Sequence, residues 1–362
     1  MNVAEQEIPR ETTALRACLE GVLLGTAVGD ALGLPAENLT PARIQRWWKG
    51  EWRMRFLPGR GMISDDTEHT LLVAQALISS DAVTTFQRTL ARKLRWWFAG
   101  LPGGVGLATA RACLKLWLGF PPDNAAVRSG GSGPAMRSAI IGAFFADNLQ
   151  RRREYVLASS RLTHKGWQAE TAALAVAEAA ALAVDQGGMP DRALMLSVVA
   201  ELSREDEWSQ CVSQLKRALQ QDCSVSDFVR ELGLEKGISG YSLHVVPVAL
   251  FAWLRHSGDC RAALTATLDC GGDTDTVGAI LGALCGASHG VNGIPAEWID
   301  GIFEWPRSVG FMRALARVLA DRKRTNQPTR EISIFWPGII PRNIFFLCVV
   351  ILHGLRRLLP PY

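Results

Sequence analysis

Two short acidic segments, far apart in the chain, carry the residues with the clearest chemical potential. The first is Ser64-Asp65-Asp66 and the second is Asp273-Thr274-Asp275-Thr276. If the two segments meet, four carboxylates lie close together, and such a cluster does not stay ionised in a partly buried site without cations. Hard divalent cations prefer carboxylate, hydroxyl and water oxygens as ligands. Two such ions would balance the four charges and orient a water molecule beside a substrate oxygen.

Each segment alone also has a simpler structural interpretation. Serine or aspartate before a helix is a common N-cap, and acidic residues in the first turn favour the helix dipole. Asp30, in Gly29-Asp30-Ala31, is more typical of a structural hydrogen-bond acceptor. The chemical interpretation therefore depends on whether the acidic segments converge.

Two glycine ladders, each with a spacing of four residues, predict this convergence. They are Gly21, Gly25, Gly29 and Gly33, which precede Glu37, and Gly278, Gly282, Gly286 and Gly290, which follow Asp275. This spacing places each ladder on one face of a helix. Every helical glycine costs about 1 kcal/mol relative to alanine, and close backbone packing would offset that cost. We expect helices over Ala14–Ala31 and Val277–Ser288 to lie side by side in the core.

Three further positions are candidates for substrate binding. The segment 130–134, Gly-Gly-Ser-Gly-Pro, precedes a helix and can present backbone N–H groups to phosphate oxygens, although it also fits a flexible loop. His164 is predicted at the start of an alanine-rich helix, where it is either a structural group or a substrate contact. Tyr241 either stacks on a base or packs within the protein.

The composition indicates a soluble globular protein of 362 residues, 48% of them apolar. A net charge of +4 is too small to favour a nucleic-acid partner. The eight cysteines include no C-x-x-C pair, which predicts reduced thiols in a cytoplasmic protein with neither disulfides nor a zinc site. The N-terminus contains Glu5, Glu7 and Glu11 and no apolar run, so no secretory signal is expected.

The hydrophobic periodicity predicts an all-α fold with one compact domain of many helices. We expect an N-terminal arm at 1–13, the domain at 14–322, and a polar linker with an apolar C-terminal tail at 323–362. The longest unbroken apolar run of the tail, Ile344–Leu352, is less than half of the roughly 20 residues needed to cross a bilayer. Three interpretations stay open: a helix packed on the domain, a peripheral membrane or partner contact, and a true span.

Several segments together resemble the ADP-ribosylglycohydrolase family, the metal-dependent ADP-ribosyl-acceptor hydrolases that include dinitrogenase reductase-activating glycohydrolase. They include GVLLGTAVGDALGLPAE (21–37), SDDTEHTLL (64–72), GSGPAMRSAIIG (131–142) and GGDTDTVGAILGALCGASHG (271–290). The resemblance covers about residues 14–320 and leaves the tail outside. It implies the orthogonal multi-helix fold of that family, with two Mg²⁺ ions, or Mn²⁺, at the bottom of a cleft.

The resemblance also implies roles for individual residues. The metal ligands would be Ser64, Asp65, Asp66, Asp273, Asp275 and Thr276, and the catalytic residues Glu37, Asp66 and Asp275. The diphosphate would lie at Gly131, Ser132 and Gly133, and the adenosine side near His164 and Tyr241. Two departures concern Gly104, where some arginine-specific relatives carry an acidic residue, and Ser64, where threonine is common.

The resemblance implies a cytoplasmic hydrolase that removes ADP-ribose from modified protein side chains, with arginine linkage favoured. The metals would hold the ribose hydroxyls and a water, and a carboxylate such as Asp66 or Glu37 would assist attack on C1″. One alternative is hydrolysis of free ADP-ribosyl metabolites. Another is an ADP-ribose-binding or transferase-blocking protein with little catalysis. A cognate ADP-ribosyltransferase toxin is a further possible partner, with the N-terminal arm and the tail available to contact it.

Overall fold

Alanine- and leucine-rich segments separated by short glycine- or proline-containing turns produce an almost entirely helical chain, which confirms the predicted fold class. The computed structural model describes residues 10–257 and 259–359. The α-helices of this part of the chain are α1 (Arg10–Gly33), α2 (Pro41–Trp48), α3 (Asp65–Ser79), α4 (Val83–Ala99), α5 (Leu107–Trp117), α6 (Pro122–Ala125), α7 (Gly133–Met136), α8 (Ala139–Phe144), α9 (Leu149–Ser160), α10 (Trp167–Gln186), α11 (Arg192–Ala200), α12 (Asp206–Gln220), α13 (Val225–Glu231), α14 (Ser242–Arg255), α15 (Cys260–Leu268), α16 (Thr274–His289), α17 (Ala296–Asp300), α18 (Val309–Thr325) and α19 (Ile339–Arg357).

The remaining regular elements are short. Two parallel strands, β1 (Val127–Arg128) and β2 (His164–Lys165), pair with Val127 opposite His164. Single 3₁₀ turns cover Leu34–Ala36, Val291–Gly293 and Trp336–Gly338. His164, predicted at the start of the alanine-rich helix, instead lies in β2, because the chain pairs with β1 before α10 begins at Trp167.

The two glycine ladders form the central seam of the domain. Helices α1 and α16 run antiparallel, and a Cβ atom on Gly25 would lie only 2.0 Å from the carbonyl oxygen of Gly282. A Cβ atom on Gly29 would lie 1.9 Å from the carbonyl oxygen of Gly278. Only glycine therefore allows the two backbones to touch, and the predicted side-by-side packing of the ladders is observed.

Other helices surround this seam. Helix α1 also packs against α3 and α18, while α10 packs against α7, α8, α9, α14 and α16. Helix α10 is rich in small side chains, and a Cβ atom on Gly142 of α8 would lie 2.1 Å from the carbonyl oxygen of Ala177. Small residues thus set the short distances between the central helices. All eight cysteines are free thiols.

The ends of the chain are placed as follows. Residues 1–9 of the predicted N-terminal arm, with Glu5 and Glu7, lie outside the described residues, and α1 begins at Arg10. Helix α18 continues to Thr325, past the predicted domain end at 322. The apolar tail forms α19, and its Arg342 and Asn343 are buried against the domain. Of the three interpretations of the tail, a helix packed on the domain is therefore observed.

Two of the described helices are long and apolar enough to cross a membrane by length and composition alone. One is Thr13–Ala36, 83% of whose most apolar window is buried in the protein. The other is Trp336–Arg357, for which that share is 33%. Helix α1 is accordingly a core helix, whereas α19 leaves a large part of its apolar surface exposed.

Candidate active site

The first acidic segment is positioned by the start of α3. Ser64 is the N-cap, and its hydroxyl oxygen accepts a hydrogen bond from the N–H of Asp66. Asp30 of α1 accepts hydrogen bonds from the N–H of Ser64 at 2.8 Å, from the N–H of Thr67 at 3.2 Å and from the Thr67 hydroxyl. Asp30 is therefore the structural acceptor that attaches α3 to α1, and it fixes the direction in which Asp65 and Asp66 leave the helix.

The second acidic segment is positioned by a double-glycine turn before α16. Gly271 and Gly272 have positive φ angles of 69° and 84°, which glycine adopts without strain. The N–H of Gly272 donates to the carbonyl oxygen of Leu39 at 2.9 Å, and the N–H of Asn38 donates to the carbonyl oxygen of Gly272 at 2.7 Å. These bonds hold Asp273 beside the segment that carries Glu37. The Asp273 side chain makes no capping hydrogen bond to α16, so its N-cap position does not account for it.

The acidic segments meet as predicted. The Thr276 hydroxyl lies 3.4 Å from Asp66 Oδ2 across the gap between α16 and α3. A cavity of about 310 Å³ opens at this point. Its walls include Glu37, Asp65, Asp66, Asp273, Asp275, Thr276, Gly131, Ser132, Gly133 and His164. The described wall residues do not include Tyr241 or Ser64, whose hydroxyl nevertheless donates to Asp66 Oδ2 at 3.2 Å.

The carboxylates of this cavity raise one another's pKa. Burial raises the pKa of Asp66 well above its usual range, and the charges of Asp65, Asp30 and Asp273 add to the effect. Burial likewise raises the pKa of Asp275, with further contributions from Glu37, Asp273, Asp66 and Asp30. The pKa of Glu37 is raised by burial and then by the charge of Asp273. The ionised cluster is therefore costly and requires positive charge nearby.

The donor atoms fit a hard divalent cation. All candidate ligands are oxygen atoms, and Asp66 Oδ1 is buried without a hydrogen-bond partner. Within residues 10–257 and 259–359, however, no three acidic, histidine or cysteine side chains already have the spacing of a finished metal site. Binding would therefore require the side chains to close in around the ion. All of the predicted ligands have the oxygen atoms that a hard divalent cation prefers.

The glycine-rich loop is shaped by His164. A Cβ atom on Gly133 would lie 2.9 Å from the His164 ring, and one on Gly131 would lie 3.1 Å from its Nε2. Burial, followed by the charge of Arg137, lowers the pKa of His164 to about 3, so the ring is neutral. The N–H of Gly131 donates to Ser129 Oγ, and that of Ser132 donates to the carbonyl oxygen of Gly240. The loop thus offers a substrate fewer free donors than the sequence suggested.

Tyr241 supports this loop and does not form the described cavity wall. Its hydroxyl donates to Glu207 Oε1 at 2.8 Å, and its ring lies against Gly130. Burial and then the hydrogen bond to Glu207 raise the pKa of Tyr241 to about 12. The packing interpretation of Tyr241 accounts for these contacts, and its contact with a substrate base stays a prediction.

One residue near the site, Arg137, was not among the sequence predictions, and Gly104 was predicted only as a departure from the family pattern. Arg137 is fully buried and donates to Thr163 Oγ1, Ser159 O and Gly133 O, so it connects the glycine-rich loop to β2. Gly104, with φ of 79°, lies beside the acidic cluster, and a Cβ atom there would be 3.4 Å from Asp65 Oδ1. An isolated arginine carries no spacing signal, whereas the G-x-G at 104–106 indicates a turn.

The comparisons with known proteins identify the family. The family model for ADP-ribosylglycohydrolase matches residues 11–329. The chain belongs to the ADP-ribosylglycohydrolase family. The ADP-ribosyl-[dinitrogen reductase] glycohydrolase of Rhodospirillum rubrum is 26% identical to this family member over 77% of the chain and 88% of the relative. The ADP-ribosylarginine hydrolase Tri1 of Pseudomonas putida is 25% identical over 84% of this chain and 78% of the relative.

A solved structure supports the fold. The chain is similar to a structure described as an ADP-ribosylglycohydrolase-related protein complex, with a TM-score of 0.59 and 24% identity. The match covers 86% of this ADP-ribosylglycohydrolase and 99% of the solved chain. The protein is accordingly a glycohydrolase enzyme with the ADP-ribosylglycohydrolase fold. Helix α19 lies outside the residues that the family model matches.

Proposed function

We propose that this enzyme hydrolyses the bond between ADP-ribose and an arginine side chain of a modified protein, with two divalent cations, Mg²⁺ or Mn²⁺, in the cavity. The carrying observation is that acidic residues from three distant segments, represented by Glu37, Asp65 and Asp275, line one cavity together with Gly131–Gly133. Support for arginine linkage comes from the similarity to the ADP-ribosylarginine hydrolase of Pseudomonas putida.

The proposed metal ligands are those that the resemblance implies, with Ser64 and Thr276 as neutral oxygens at the rim and Asp65, Asp66, Asp273 and Asp275 as the charged ones. When bound, the ions would neutralise these carboxylates and polarise the ribose oxygens and a water molecule. Asp66 and Asp275 would hold the ions, and the ions would hold the reacting sugar in position. Glu37 would accept a proton from the attacking water, since it lines the same cavity and carries a raised pKa. As the water oxygen bonds to C1″, the bond from C1″ to the arginine nitrogen would break, and the departing guanidine would take up one proton.

The leaving group would meet the cavity wall at position 104, which carries no acidic side chain. Gly104 leaves space there, and Asp65 Oδ1 is 3.4 Å from the place where a Cβ atom would stand. Asp65 is therefore the acidic group available to an arginine guanidinium that enters along this wall. The neutral His164 would contact the substrate without adding charge.

The direct test is incubation of the enzyme with arginine-linked and serine-linked ADP-ribosylated peptides, with and without Mg²⁺. Release of ADP-ribose from the arginine-linked peptide only in the presence of Mg²⁺ is expected. Cleavage of the serine-linked peptide alone would reject the proposed linkage. Binding of ADP-ribose without cleavage of either peptide would favour a binding protein with little catalysis.

Glu37→Gln is expected to lower hydrolysis about 100-fold or more, the scale of a lost general base, while the melting temperature stays nearly unchanged. Glutamine keeps the side-chain oxygen that accepts from Asn38 Nδ2, and it removes the charge that faces Asp273. Steady-state kinetics and thermal unfolding of the same preparations check both statements. A variant with the wild-type rate, or one that unfolds, would show that Glu37 has been given the wrong role.

Stabilisation by Mg²⁺ is expected to increase with pH. Burial and neighbouring charges raise the pKa of Asp65, Asp66 and Asp275 well above the ordinary value of 3.8. Without cations, the folded state then holds more protons than the unfolded state, so its stability falls as pH rises through these raised pKa values. Bound cations would neutralise the carboxylate charge that protons neutralise at lower pH. The gain in melting temperature on adding Mg²⁺ to chelator-treated protein should be larger at about pH 8 than at about pH 5.

The pH experiment has an internal control. Burial lowers the pKa of His69 and lowers that of His164 to about 3, so both rings are neutral in the folded protein at about pH 5 and at about pH 8 and contribute equally with and without Mg²⁺. The double variant Asp65→Asn, Asp275→Asn should lose most of the Mg²⁺ effect at every pH. A wild-type Mg²⁺ effect that is the same at both pH values would contradict the proposed cation site.

The proposal extends to immunity against an ADP-ribosyltransferase toxin, because hydrolysis of the arginine linkage would reverse that class of modification. Co-expression with such a transferase tests it. Loss of protection in Asp65→Ala, Asp275→Ala would assign protection to hydrolysis. Protection that survives in this variant would instead indicate direct blocking of the transferase.

A further inference from the structure

Helix α19 has an inner face that fixes it to the domain. Arg342, 7% exposed, donates to Glu304 Oε2 at 2.6 Å and to the carbonyl oxygen of Ile63 at 2.6 Å. Asn343 Nδ2 donates to the carbonyl oxygen of Gly100 at 2.7 Å. Moving this helix into a bilayer as a span would leave the buried carboxylate of Glu304 without its cation, at a cost of several kcal/mol. The helix therefore stays on the domain.

The outer face of α19 is an exposed apolar strip. Between Ile344 and Leu355 this face carries no charged side chain. Its length is about 18 Å at the rise of an α-helix. The exposed apolar side chains include Ile344, Phe345, Leu347, Val350, Ile351, Leu352 and Leu355, of which Leu352 is 63% exposed. A continuous strip of this kind on a folded domain marks an interaction surface.

Exposed aromatic rings extend the strip at the N-terminal end of α19. The rings of Trp96 and Trp336 are 5.7 Å apart, and Trp117 contacts Trp96 at the same distance. Trp96 is 52% exposed. Nearby, Trp305 packs against Phe335 at 5.8 Å, and both rings are more than half exposed. Tryptophan combines an apolar ring with one polar N–H group and is enriched at the boundary between lipid and water.

Arginines gather at the other end of the helix. Helix α19 ends with Arg356 and Arg357, and Arg43 Nη2 donates to the carbonyl oxygen of Arg357 at 3.1 Å. The Arg356 guanidinium lies 5.5 Å from the centre of the Trp47 ring. Arg46, on the same helix α2 as Arg43, is exposed. Basic side chains near an anionic bilayer are attracted to its surface.

We propose that α19 binds peripherally to an anionic membrane surface. The helix would lie in the plane of the bilayer, with its outer apolar strip at the boundary between headgroups and acyl chains and its arginines among the headgroups. The aromatic rings at one end of the strip and the arginines at the other favour an anionic bilayer over a protein partner.

Helix α19 also contacts two segments that border the active-site cavity. Phe346 of α19 lies against Gly103, next to Gly104 in the cavity wall. At the other end, Arg357 Nη2 donates to the carbonyl oxygen of Pro35, close to Glu37. The helix thus runs beside the cavity.

Vesicle co-sedimentation of the full chain tests this proposal. The protein should sediment with vesicles of phosphatidylcholine and phosphatidylglycerol more than with phosphatidylcholine alone, and high salt should reduce the bound fraction. The double variant Ile351→Ser, Leu355→Ser should bind at least about 10-fold more weakly, since two exposed side chains lose their apolar burial. The matched control, Leu149→Ser, Leu194→Ser, changes exposed leucines on α9 and α11 and should bind like the wild type.

Two results would overturn the proposal. The first is absence of binding to anionic vesicles, or binding that the α19 variant does not weaken while its melting temperature equals that of the wild type. The second is a dimer in solution, measured by light scattering, that the α19 variant converts to a monomer, which would assign the strip to a second copy of the chain. The vesicle result does not depend on hydrolysis, so it is separate from the proposed enzymatic function.

Discussion

Asp275→Asn is expected to reduce the turnover number at least about 100-fold, equivalent to about 2.7 kcal/mol of lost electrostatic stabilisation. Asp275 is buried at the start of α16 and lines the cavity opposite the α3 carboxylates. Asparagine keeps the shape of the side chain but removes the charge that would hold a cation. The measurement is steady-state hydrolysis of an arginine-linked ADP-ribosylated peptide over a range of Mg²⁺ concentrations.

The same substitution should not weaken the metal-free fold. Burial and the charges of Glu37, Asp273 and Asp66 raise the pKa of Asp275, so removing its charge relieves repulsion. The chelator-treated variant is therefore expected to unfold at the same or a higher temperature than the wild type. Asp185→Asn, an exposed change on α10, is the matched control and should leave both quantities unchanged. Full turnover of Asp275→Asn, or full activity of the wild type after exhaustive chelation, would reject the two-cation site.

Gly25→Ala is expected to destabilise the protein by about 3 kcal/mol or more, at or beyond the upper end of overpacking effects. The added Cβ atom would lie 2.0 Å from the carbonyl oxygen of Gly282, and a backbone atom cannot rotate away as a side chain can. The two helices would have to separate along the whole seam. Chemical denaturation, analysed for the free energy of unfolding, measures the effect.

Gly354→Ala is the control for this change. Gly354 lies in α19, is exposed, and a Cβ atom there would meet no atom within 4 Å. The same substitution should stabilise the helix there by about 0.5–1 kcal/mol, because alanine has the higher helix propensity. Equal effects at the two positions would show that propensity, not backbone contact, explains the glycine ladders.

The central seam and the meeting of the acidic segments were predictable because their signals are local. Glycines at a spacing of four residues indicate that another backbone lies against the helix, as Gly29 and Gly278 show. Once the ladders are paired, the acidic residues beside their ends must approach each other. The contact between Thr276 and Asp66 follows from this geometry.

Features that depend on single long-range contacts were not predictable. Arg342 pairs with Glu304 and approaches Glu68, which is 274 positions away in the chain, and no local pattern announces such a pair. The sequence therefore left three interpretations of the tail open. His164 was assigned to a helix because a two-residue strand carries no periodicity of its own. The position of the Tyr241 ring depends on a hydrogen bond from its hydroxyl to Glu207 of α12, and such a contact likewise has no sequence signal.

The antiparallel contact between α1 and α16 also constrains how the protein is made. Gly21 meets Gly286, so the glycine face of the first helix has no partner until roughly 260 further residues have been synthesised. At about 5–20 residues per second, α1 waits for about 13 to 50 seconds with its glycine face uncovered. Asp65 and Asp66 reach their partners only when α16 leaves the ribosome. Catalytic competence is therefore acquired late in translation, and a nascent chain that stalls before α16 cannot hydrolyse its substrate.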